Sequence, residues 1–211
     1  MAAQDPQEGF DLVDEQGAPL GVVKPRGEVH RDGDWHRAMH LWLLTRAHGA
    51  PRVILQRRSR EKDTHAGLVD VSVGGHLRAG EGLEETLREA REELGVTVPW
   101  EAVTPIGRVW TESRTDRYWD REILDVLCAE VPHRIEELAP FEDEVAEVFA
   151  VHPWDAWGLW AGRFKKVSAL ARSPRSPAAR TASLRREELV APGDPYRLRA
   201  LASLLARACG A

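Results

Sequence analysis

Residues 83–94 carry carboxylates at a spacing that could bind a metal ion. On a helix, at ~100° per residue, the apolar side chains would share one narrow stripe: Leu83, Leu87, Ala90 and Leu94. The acidic side chains would gather on roughly the opposite side, within an arc of about 100°: Glu85, Glu89, Glu92 and Glu93. Crowded carboxylates repel one another unless positive charge lies among them, and hard divalent cations such as Mg²⁺ prefer oxygen ligands. The segment therefore predicts either a metal-binding helix face or an ordinary solvated one.

The order of residues around this helix is more informative than its composition. Gly75 is followed after five residues by Glu81, and an Arg-Glu-apolar-any-Glu-Glu-any-Gly-apolar run extends from Arg88 to Val96. This order, over residues 74–96, resembles the Nudix box of the Nudix hydrolase superfamily. Six residues separate Glu81 from Arg88, one fewer than in the family. We therefore expect a shortened first helical turn, with the later glutamate spacing intact.

The resemblance implies a chemistry. Nudix enzymes hydrolyse a diphosphate linked to another moiety, and divalent cations offset the phosphate charge that repels an incoming nucleophile. The resemblance implies Mg²⁺, or Mn²⁺, bound by four groups of this chain: the Gly75 carbonyl, Glu89, Glu92 and Glu93. It also implies that Arg88 orients these carboxylates through salt bridges and does not touch the substrate.

The general base varies across the superfamily, so two sources stay open. It could be a helix glutamate, Glu92 or Glu93, or a carboxylate from a later loop. The acidic cluster at 142–144 precedes a predicted strand, and we take Glu144 as its candidate. A solvated entrance to the strand is the competing interpretation of this cluster.

A second resemblance, over residues 35–151, is to the isopentenyl-diphosphate isomerase branch of the same superfamily. Short segments carry it: the surroundings of His36, residues 56–59, residues 72–76 and Glu122. It implies that Arg58 and Lys62 contact a diphosphate. It also implies a second metal site, with these best matches: His36, His76 and Glu122, then His30 as an offset alternative and Asp120 nearby.

One residue separates the two activities. The isomerases need a catalytic Cys immediately before a Gly-His pair, and this sequence has Gly74 there. Glycine cannot transfer protons, whereas the helix glutamates that hydrolysis requires are all present. The leading hypothesis is a metal-dependent hydrolase that cleaves a phosphoanhydride bond in a nucleoside diphosphate-type or related organic diphosphate. Two alternatives stay open: an isopentenyl-diphosphate isomerase-like enzyme, and a catalytically silent Nudix domain that binds a ligand.

Composition limits the partners. The net charge of −5 argues against bulk nucleic-acid affinity, which rests on basic patches, and favours a small-molecule substrate. Cys128 and Cys209 provide neither a disulfide framework nor a zinc-ligand spacing. No apolar run approaches membrane-spanning length, and residues 1–9 lack the form of a signal peptide, so we expect a cytoplasmic protein without membrane contact. The resemblance adds a homodimer as an option.

The elements that must position these residues alternate between strands and helices. Residues 1–9 are predicted to form a disordered tail, and residues 10–211 a single domain. Strands are predicted in this order: a hairpin over 10–14 and 21–24, then 35–45, 52–56, 68–73, 103–110 and 122–131. Residues 144–151 fit a strand or a helix, and the resemblance favours a strand. The alternation predicts an α/β/α sandwich, and the resemblance implies the Nudix fold with its mixed central sheet.

A C-terminal helical extension is predicted over about 154–211. Its first part holds three tryptophans at helical spacing, which predict a helix packing its indoles on the domain: Trp154, Trp157 and Trp160. Residues 168–186 have two Ser-Pro steps and few bulky apolar side chains, which predict a basic, partly mobile loop.

The extension ends in a second predicted helix. Asp194-Pro195 is a good helix start, with an N-cap residue followed by Pro at the first position. The helix would end at Gly210 and present one apolar face: Leu198, Leu201, Ala202 and Leu205.

Overall fold

Strand β3 (Trp35–Thr45) lies at the centre of the sheet. It pairs in parallel along its whole length with β8 (Trp119–Val131). It also pairs antiparallel with β6 (Val73–His76) and, further along, with β4 (Arg52–Arg58). The structure is a computed structural model, and it describes residues 5–62, 64–116 and 118–210.

The other strands are β1 (Gly9–Val13), β2 (Pro19–Pro25), β5 (Val69–Asp70), β7 (Val103–Arg114), β9 (Val145–Val151), β10 (Lys166–Ser173) and β11 (Ser176–Arg185). The described strands form one mixed sheet in which β11-β10-β9-β4-β3-β1-β2 are successive neighbours and β7 pairs with β8. The helices are α1 (Arg26–Asp32), α2 (Arg88–Leu94), α3 (Pro153–Trp160) and α4 (Pro195–Ala208). None of the helices in the described part of the chain is both long and apolar enough to cross a membrane.

Two apolar cores lie on opposite faces of the sheet, because successive side chains of a strand point to opposite sides. From β3, Trp42 and Leu44 pack in the core shared with α3 and α4. Met39 and Leu41 pack in the core shared with α2. The predicted α/β/α sandwich with a mixed sheet is therefore confirmed, as are the N-terminal hairpin and the strand over 145–151.

Helix α2 is shorter than the predicted helix over 83–94. A 3₁₀ turn at Glu85–Leu87 precedes it, so the first turn is tightened where the sequence has one residue fewer. The predicted apolar stripe is buried on the sheet, with Leu83 only partly covered. Gly95 ends the helix at φ 70°, and its N–H bonds the Arg91 carbonyl while the Val96 N–H bonds that of Ala90.

The prediction of a mobile loop over residues 168–186 is wrong. Strands β10 and β11 form an antiparallel hairpin there, and β10 also pairs with β9. Alternate small apolar side chains of the segment are buried in the core: Val167, Ala169, Ala171 and Leu184. Their small size hid the period-two pattern, and the pairing with β9 is a tertiary contact that a local sequence pattern does not show.

Other differences lie near the ends of the chain. Within the predicted tail, the Glu8 carbonyl accepts the Arg26 N–H and Glu8 pairs with Arg78, while residues 1–4 lie outside the described residues. The sequence did not predict α1. Helix α3 is confirmed, and so is the start of α4, where Asp194 accepts the Tyr196 N–H at 2.9 Å.

The buried face of α4 is rotated from the predicted one. It comprises Tyr196, Arg197, Ala200, Leu201 and Leu204, whereas the expected Ala202 is exposed and Leu205 is only partly buried. The burial of Arg197 has a clear cause, because its Nη2 and Nε lie 2.9 and 3.2 Å from Asp70 Oδ1. Burial alone would raise the pKa of Asp70, but Arg197 and the nearby His40 lower the pKa well below its usual range.

This ion pair predicts an acid-sensitive attachment of α4. The lowered pKa of the Asp70 carboxyl means that its contribution is present above the unfolded-state value near 3.8 and is lost as pH falls below it. We expect Asp70→Asn to lower the free energy of unfolding by about 3 kcal/mol at pH 7, because Arg197 is left buried without its partner charge. Urea unfolding at pH 7 and pH 3 should show this difference shrinking in acid.

Asp194→Asn is the matched control. Asp194 also pairs with Arg197, at 2.7 Å, but its side chain is 22% exposed, and Asn keeps the helix cap. We expect a loss of less than about 1 kcal/mol. An equal loss in the two variants would contradict the special role of the Asp70 pair.

Candidate active site

A cavity of about 780 Å³ lies beside β3, β6, α2 and the first turn of α4. Most of the predicted site residues line it: Arg58, Lys62, Gly75, His76, Glu89, Glu92, Glu93, Glu122 and Glu144. Arg88 and the fully buried His36 lie behind these lining residues and contact them. The fold therefore brings together residues from both predicted metal sites and the predicted diphosphate contacts.

Glu93 points inward from α2 and is buried, with 1% of its surface exposed. Its carboxylate accepts the Gln56 side-chain N–H at 2.7 Å and the Gly74 backbone N–H at 3.3 Å. Lys62 Nζ lies 3.5 Å from the same carboxylate and also pairs with Glu144. Lys62 thus links the helix carboxylate to the loop carboxylate at one end of the cavity.

Arg88 holds the other α2 carboxylates. Its guanidinium donates to Glu89 at 2.5 Å, to Glu92 at 3.0 Å and to Glu81 at 2.7 Å. The missing residue between Glu81 and Arg88 therefore does not prevent the loop carboxylate from reaching the helix. Arg88 occupies the orienting position that the resemblance implies.

The carboxyl groups of Glu89 and Glu93 resist ionisation. Burial, and then the nearby Glu93 carboxylate, raise the pKa of Glu89 to about 8 against the opposing effect of Arg88. Burial also raises the pKa of Glu93. A β-carbon at position 75 would collide with the Glu89 side chain, so Gly75 lets this carboxylate lie directly against β6. A cation close to Glu89 would reduce the repulsion between the carboxylates of Glu89 and Glu93.

The predicted diphosphate contacts differ in their surroundings. Arg58 bends back to the loop after β4, where it donates to the Thr64 carbonyl at 3.0 Å and to its hydroxyl at 3.1 Å.

Among the acidic residues at 142–144, Glu144 lines the cavity, whereas Glu142 is exposed and pairs with Arg175 on the β10–β11 hairpin. The geometry thus favours Glu144 within that cluster.

Residues of the second predicted metal site lie in a tight cluster, in which His30 and Asp120 take part and Glu122 does not. Ligand atoms of four side chains lie within 4.8 Å of one another: His30, His36, His76 and Asp120. The α2 glutamates do not converge this tightly within the described residues. The offset alternative His30 joins the cluster because α1 carries it over Phe10, and Asp120 joins because it lies two residues before Glu122 on the same face of β8.

The histidine tautomers indicate which atoms could bind a cation. His36 Nδ1 lies 3.1 Å from the Asp34 carbonyl, so Nδ1 carries the proton and the Nε2 lone pair faces Asp120 at 3.5 Å. This is the arrangement of a metal-ligating histidine. At His76, the Arg26 guanidinium lies 3.1 Å from Nδ1 and can only donate, which places the ring proton on Nε2. His76 would therefore have to exchange this contact before binding a cation through Nε2.

Glu122 extends the histidine cluster towards the cavity. Its Oε1 lies 3.1 Å from His76 Nε2. Burial alone would raise the pKa of Glu122, but His76 and His36 lower it, so the carboxylate is ionised. Burial lowers the pKa of both His36 and His76. The cluster therefore combines neutral imidazoles with anionic oxygens, a donor set that suits divalent cations.

Among the cavity residues that the sequence did not single out, two form a hydrogen-bonded pair. His40 lies four residues after His36, on the same face of β3, and its Nδ1 is hydrogen-bonded to the Tyr196 hydroxyl. The period-two spacing of the two histidines was a usable signal for His40. Tyr196 had no local signal, because only the packing of α4 against the sheet brings it to the cavity.

The sequence matches known proteins over most of its length. Residues 34–171 match the family model of the NUDIX domain. Nudix hydrolase 3 of Arabidopsis thaliana is 40% identical over 69% of this chain, but the match spans only 19% of that longer protein. An uncharacterized Nudix hydrolase of Clostridium acetobutylicum is 34% identical over 66% of this chain and 67% of its own length.

A relative with another activity and a solved structure extend the comparison. An isopentenyl-diphosphate delta-isomerase of Mycolicibacterium vanbaalenii is 31% identical over 74% of this chain and 82% of its own length. A crystal structure of a Deinococcus radiodurans protein, 23% identical, superposes with a TM-score of 0.55 over 74% of this chain and 90% of that protein. This structural likeness shows the fold alone.

The family model covers more than half of the chain, and it includes the carboxylate helix, the cavity-lining strands and the acidic cluster at 142–144. The chain therefore belongs to the Nudix hydrolase family, whose members act on diphosphate-containing substrates and generally use divalent metal ions.

Proposed function

We propose that this protein is a divalent-metal-dependent hydrolase that cleaves a phosphoanhydride bond in a nucleoside diphosphate-type or related organic diphosphate. One observation carries the proposal: the α2 carboxylates and the basic residues Arg58 and Lys62 line the same cavity. A diphosphate needs positive charge around its oxygens and acidic groups that hold divalent cations beside them.

Each α2 carboxylate has a part in this proposal. Glu89, Glu92 and Glu93, with the Gly75 carbonyl, would hold Mg²⁺ or Mn²⁺. When bound, such a cation neutralises phosphate charge and makes water easier to ionise. The fit rests on the pKa of Glu89, raised to about 8 by burial and by Glu93, because a bound cation would stabilise both groups as anions.

Lys62 and Glu144 would act at the reacting end. Lys62 already neutralises Glu93 and Glu144 and can turn towards a phosphate oxygen when substrate enters. Arg58 lines the cavity and would leave its loop contacts with Thr64 to reach the diphosphate. Glu144, freed from Lys62, is our candidate proton acceptor. Glu92 and Glu93 remain the alternatives.

A specific observation supports the second candidate function, an isopentenyl-diphosphate isomerase-like reaction. The cluster of His30, His36, His76 and Asp120 contains two of the three best matches to the second metal site that the isomerase resemblance implies, His36 and His76. Gly74 stands against it, because no thiol precedes the Gly-His pair at 75–76. We therefore assign the histidine cluster to a second metal site within a hydrolase. A catalytically silent, ligand-binding domain is the remaining alternative.

The proposal also includes the binding partners and the cellular location of the enzyme. With a net charge of −5, it would act on a small molecule and not on nucleic acid. A cytoplasmic location and a homodimer stay predictions.

Substitution of Glu93 tests the metal assignment. Glu93→Gln keeps the size of the side chain and one acceptor oxygen for Gln56, but removes the charge that would bind the cation. We expect Mg²⁺-dependent hydrolysis to fall by about 100-fold or more, with little change in the unfolding temperature. The assay separates and quantifies the phosphorylated products by anion-exchange chromatography, for nucleoside di- and triphosphates, nucleotide sugars, dinucleoside polyphosphates, CoA and isopentenyl diphosphate, with Mg²⁺, Mn²⁺ or chelator.

Glu84→Gln is the matched control, since Glu84 is an exposed carboxylate just before the same helix. It should leave the rate unchanged. Wild-type turnover by the Glu93 variant would contradict the metal assignment. Silence of folded wild-type protein across the whole panel would favour the ligand-binding alternative.

Substitution of His36 tests the second metal site without relying on activity. We expect wild-type protein to bind two Mn²⁺ ions in a titration followed by electron paramagnetic resonance. His36→Gln should weaken one of them by at least about tenfold, because the Nε2 ligand is lost, and Glu93→Gln should weaken the other. His133→Gln, outside the cavity, serves as control. A wild-type stoichiometry of one, unaffected by His36→Gln, would refute the second site.

A further inference from the structure

His40 holds a distinct place on the cavity wall. It lies on β3, directly opposite Gly74 of β6 in the strand register, on the same face as Ala38. It lies four residues along the strand from His36 of the histidine cluster, which corresponds to roughly 13 Å of extended chain. The reactions considered above give it no part.

Tyr196 fixes the orientation of the His40 ring. Tyr196 is buried, with 5% of its surface exposed, and its hydroxyl is hydrogen-bonded to His40 Nδ1. That ring nitrogen is the hydroxyl's hydrogen-bond partner within the described residues. A buried hydroxyl must donate its proton to an acceptor, and Nδ1 of a neutral imidazole accepts when the ring proton is on Nε2. The pair therefore favours the tautomer with an Nε2–H group.

Both members of the pair are neutral. Burial lowers the pKa of His40 to about 4 and raises the pKa of Tyr196 well above its usual value. The nearest charges, Asp70 and Arg197, are paired with each other. His40 therefore offers the cavity a hydrogen-bond donor without net positive charge, unlike Arg58 and Lys62.

The Nε2 edge of His40 faces space that Gly74 leaves open. A β-carbon at position 74 would lie 3.3 Å from His40 Cδ2 and 3.4 Å from Nε2. Within the described residues, no protein group accepts a hydrogen bond from Nε2. Any side chain at position 74 would fill the region in front of this nitrogen, whereas glycine leaves it for a ligand.

We propose that His40 contacts the substrate: its Nε2–H donates a hydrogen bond to an acceptor atom on the non-phosphate part, and Tyr196 is the positioning residue that fixes the tautomer. The inference rests on the proposed function and narrows it. The substrate carries a carbonyl, ring nitrogen or hydroxyl at this point, as a nucleoside or sugar does. An isoprenoid chain would leave the buried N–H unpaired, and sites that hydrogen-bond their substrate reject analogues lacking the acceptor.

Nuclear magnetic resonance of ¹⁵N-histidine-labelled protein tests the tautomer without ligand or turnover. The His40 signals are assigned by their loss in His40→Gln. We expect wild-type protein to show the Nε2–H tautomer, and Tyr196→Phe to show a mixture of both, because the directing hydroxyl is gone. The inference would be overturned if wild-type protein showed the Nδ1–H tautomer, or if Tyr196→Phe left the tautomer unchanged. Either result would hold even if the hydrolase assignment is correct.

Kinetics with ADP and Mg²⁺ test the contact. We expect His40→Phe to raise KM about tenfold with little change in kcat, and His40→Gln, which keeps an N–H donor, to restore part of the loss. Inhibition of ADP hydrolysis by inorganic pyrophosphate should be the same in His40→Phe and wild-type protein. Isopentenyl diphosphate should bind His40→Phe no more tightly than ADP binds wild-type protein.

The outcomes separate the two proposals. If His40→Phe weakened inhibition by pyrophosphate as much as it raised the KM for ADP, His40 would bind a phosphate oxygen. This result would overturn its proposed contact with the organic part of the substrate. An unchanged KM for ADP would overturn the contact altogether. Absence of hydrolysis of every compound in the panel by wild-type protein would defeat the proposed function, while the tautomer measurement would still decide the His40–Tyr196 arrangement.

Discussion

The alternation of side chains along β3 is the constraint on which the rest of the molecule depends. Successive residues of a strand must face opposite sides of the sheet, so one strand serves two environments. One set, with Met39 and Leu41, anchors the carboxylate helix α2. The other set includes His36 in the histidine cluster, His40 in the cavity and Trp42 in the core shared with α3 and α4. A shift of one residue in the register would exchange the two sets and destroy both sites.

The cavity concentrates charge that the fold must compensate. A buried carboxylate is tolerated only when hydrogen bonds or opposite charges satisfy it, and each one here has such partners. Glu93 has Gln56 and Lys62, while Asp70 has Arg197. Glu89 is compensated least, since Arg88 is shared with Glu81 and Glu92. Its pKa, raised to about 8 by burial and by Glu93, marks the point where a cation would stabilise the site most.

The relatives of this chain include a Nudix hydrolase and an isopentenyl-diphosphate delta-isomerase. This chain keeps the full set of α2 carboxylates and also brings together the histidine cluster that the isomerase resemblance implies. At the decisive point Gly74 offers open space in place of a thiol, and His40 faces that space. The same glycine that removes one chemistry thus makes room for a polar substrate group. The cavity therefore combines the basic residues Arg58 and Lys62 with the neutral His40–Tyr196 pair.

The sequence by itself determined the parts whose signals are local. The spacing from Arg88 to Gly95 is a property of one helix, and the apolar runs at 35–45 and 122–131 are long enough to predict buried strands. The tertiary structure decided what depends on residues far apart in the chain. The hairpin at 166–185 forms because β9 offers an edge, and α1 is held where His30 can meet Asp120. Tyr196 reaches His40 across 156 positions because Arg197 docks on Asp70. No local pattern encodes such contacts, since each draws its stabilisation from burial and charge pairing that exist only once the sheet and helices have packed.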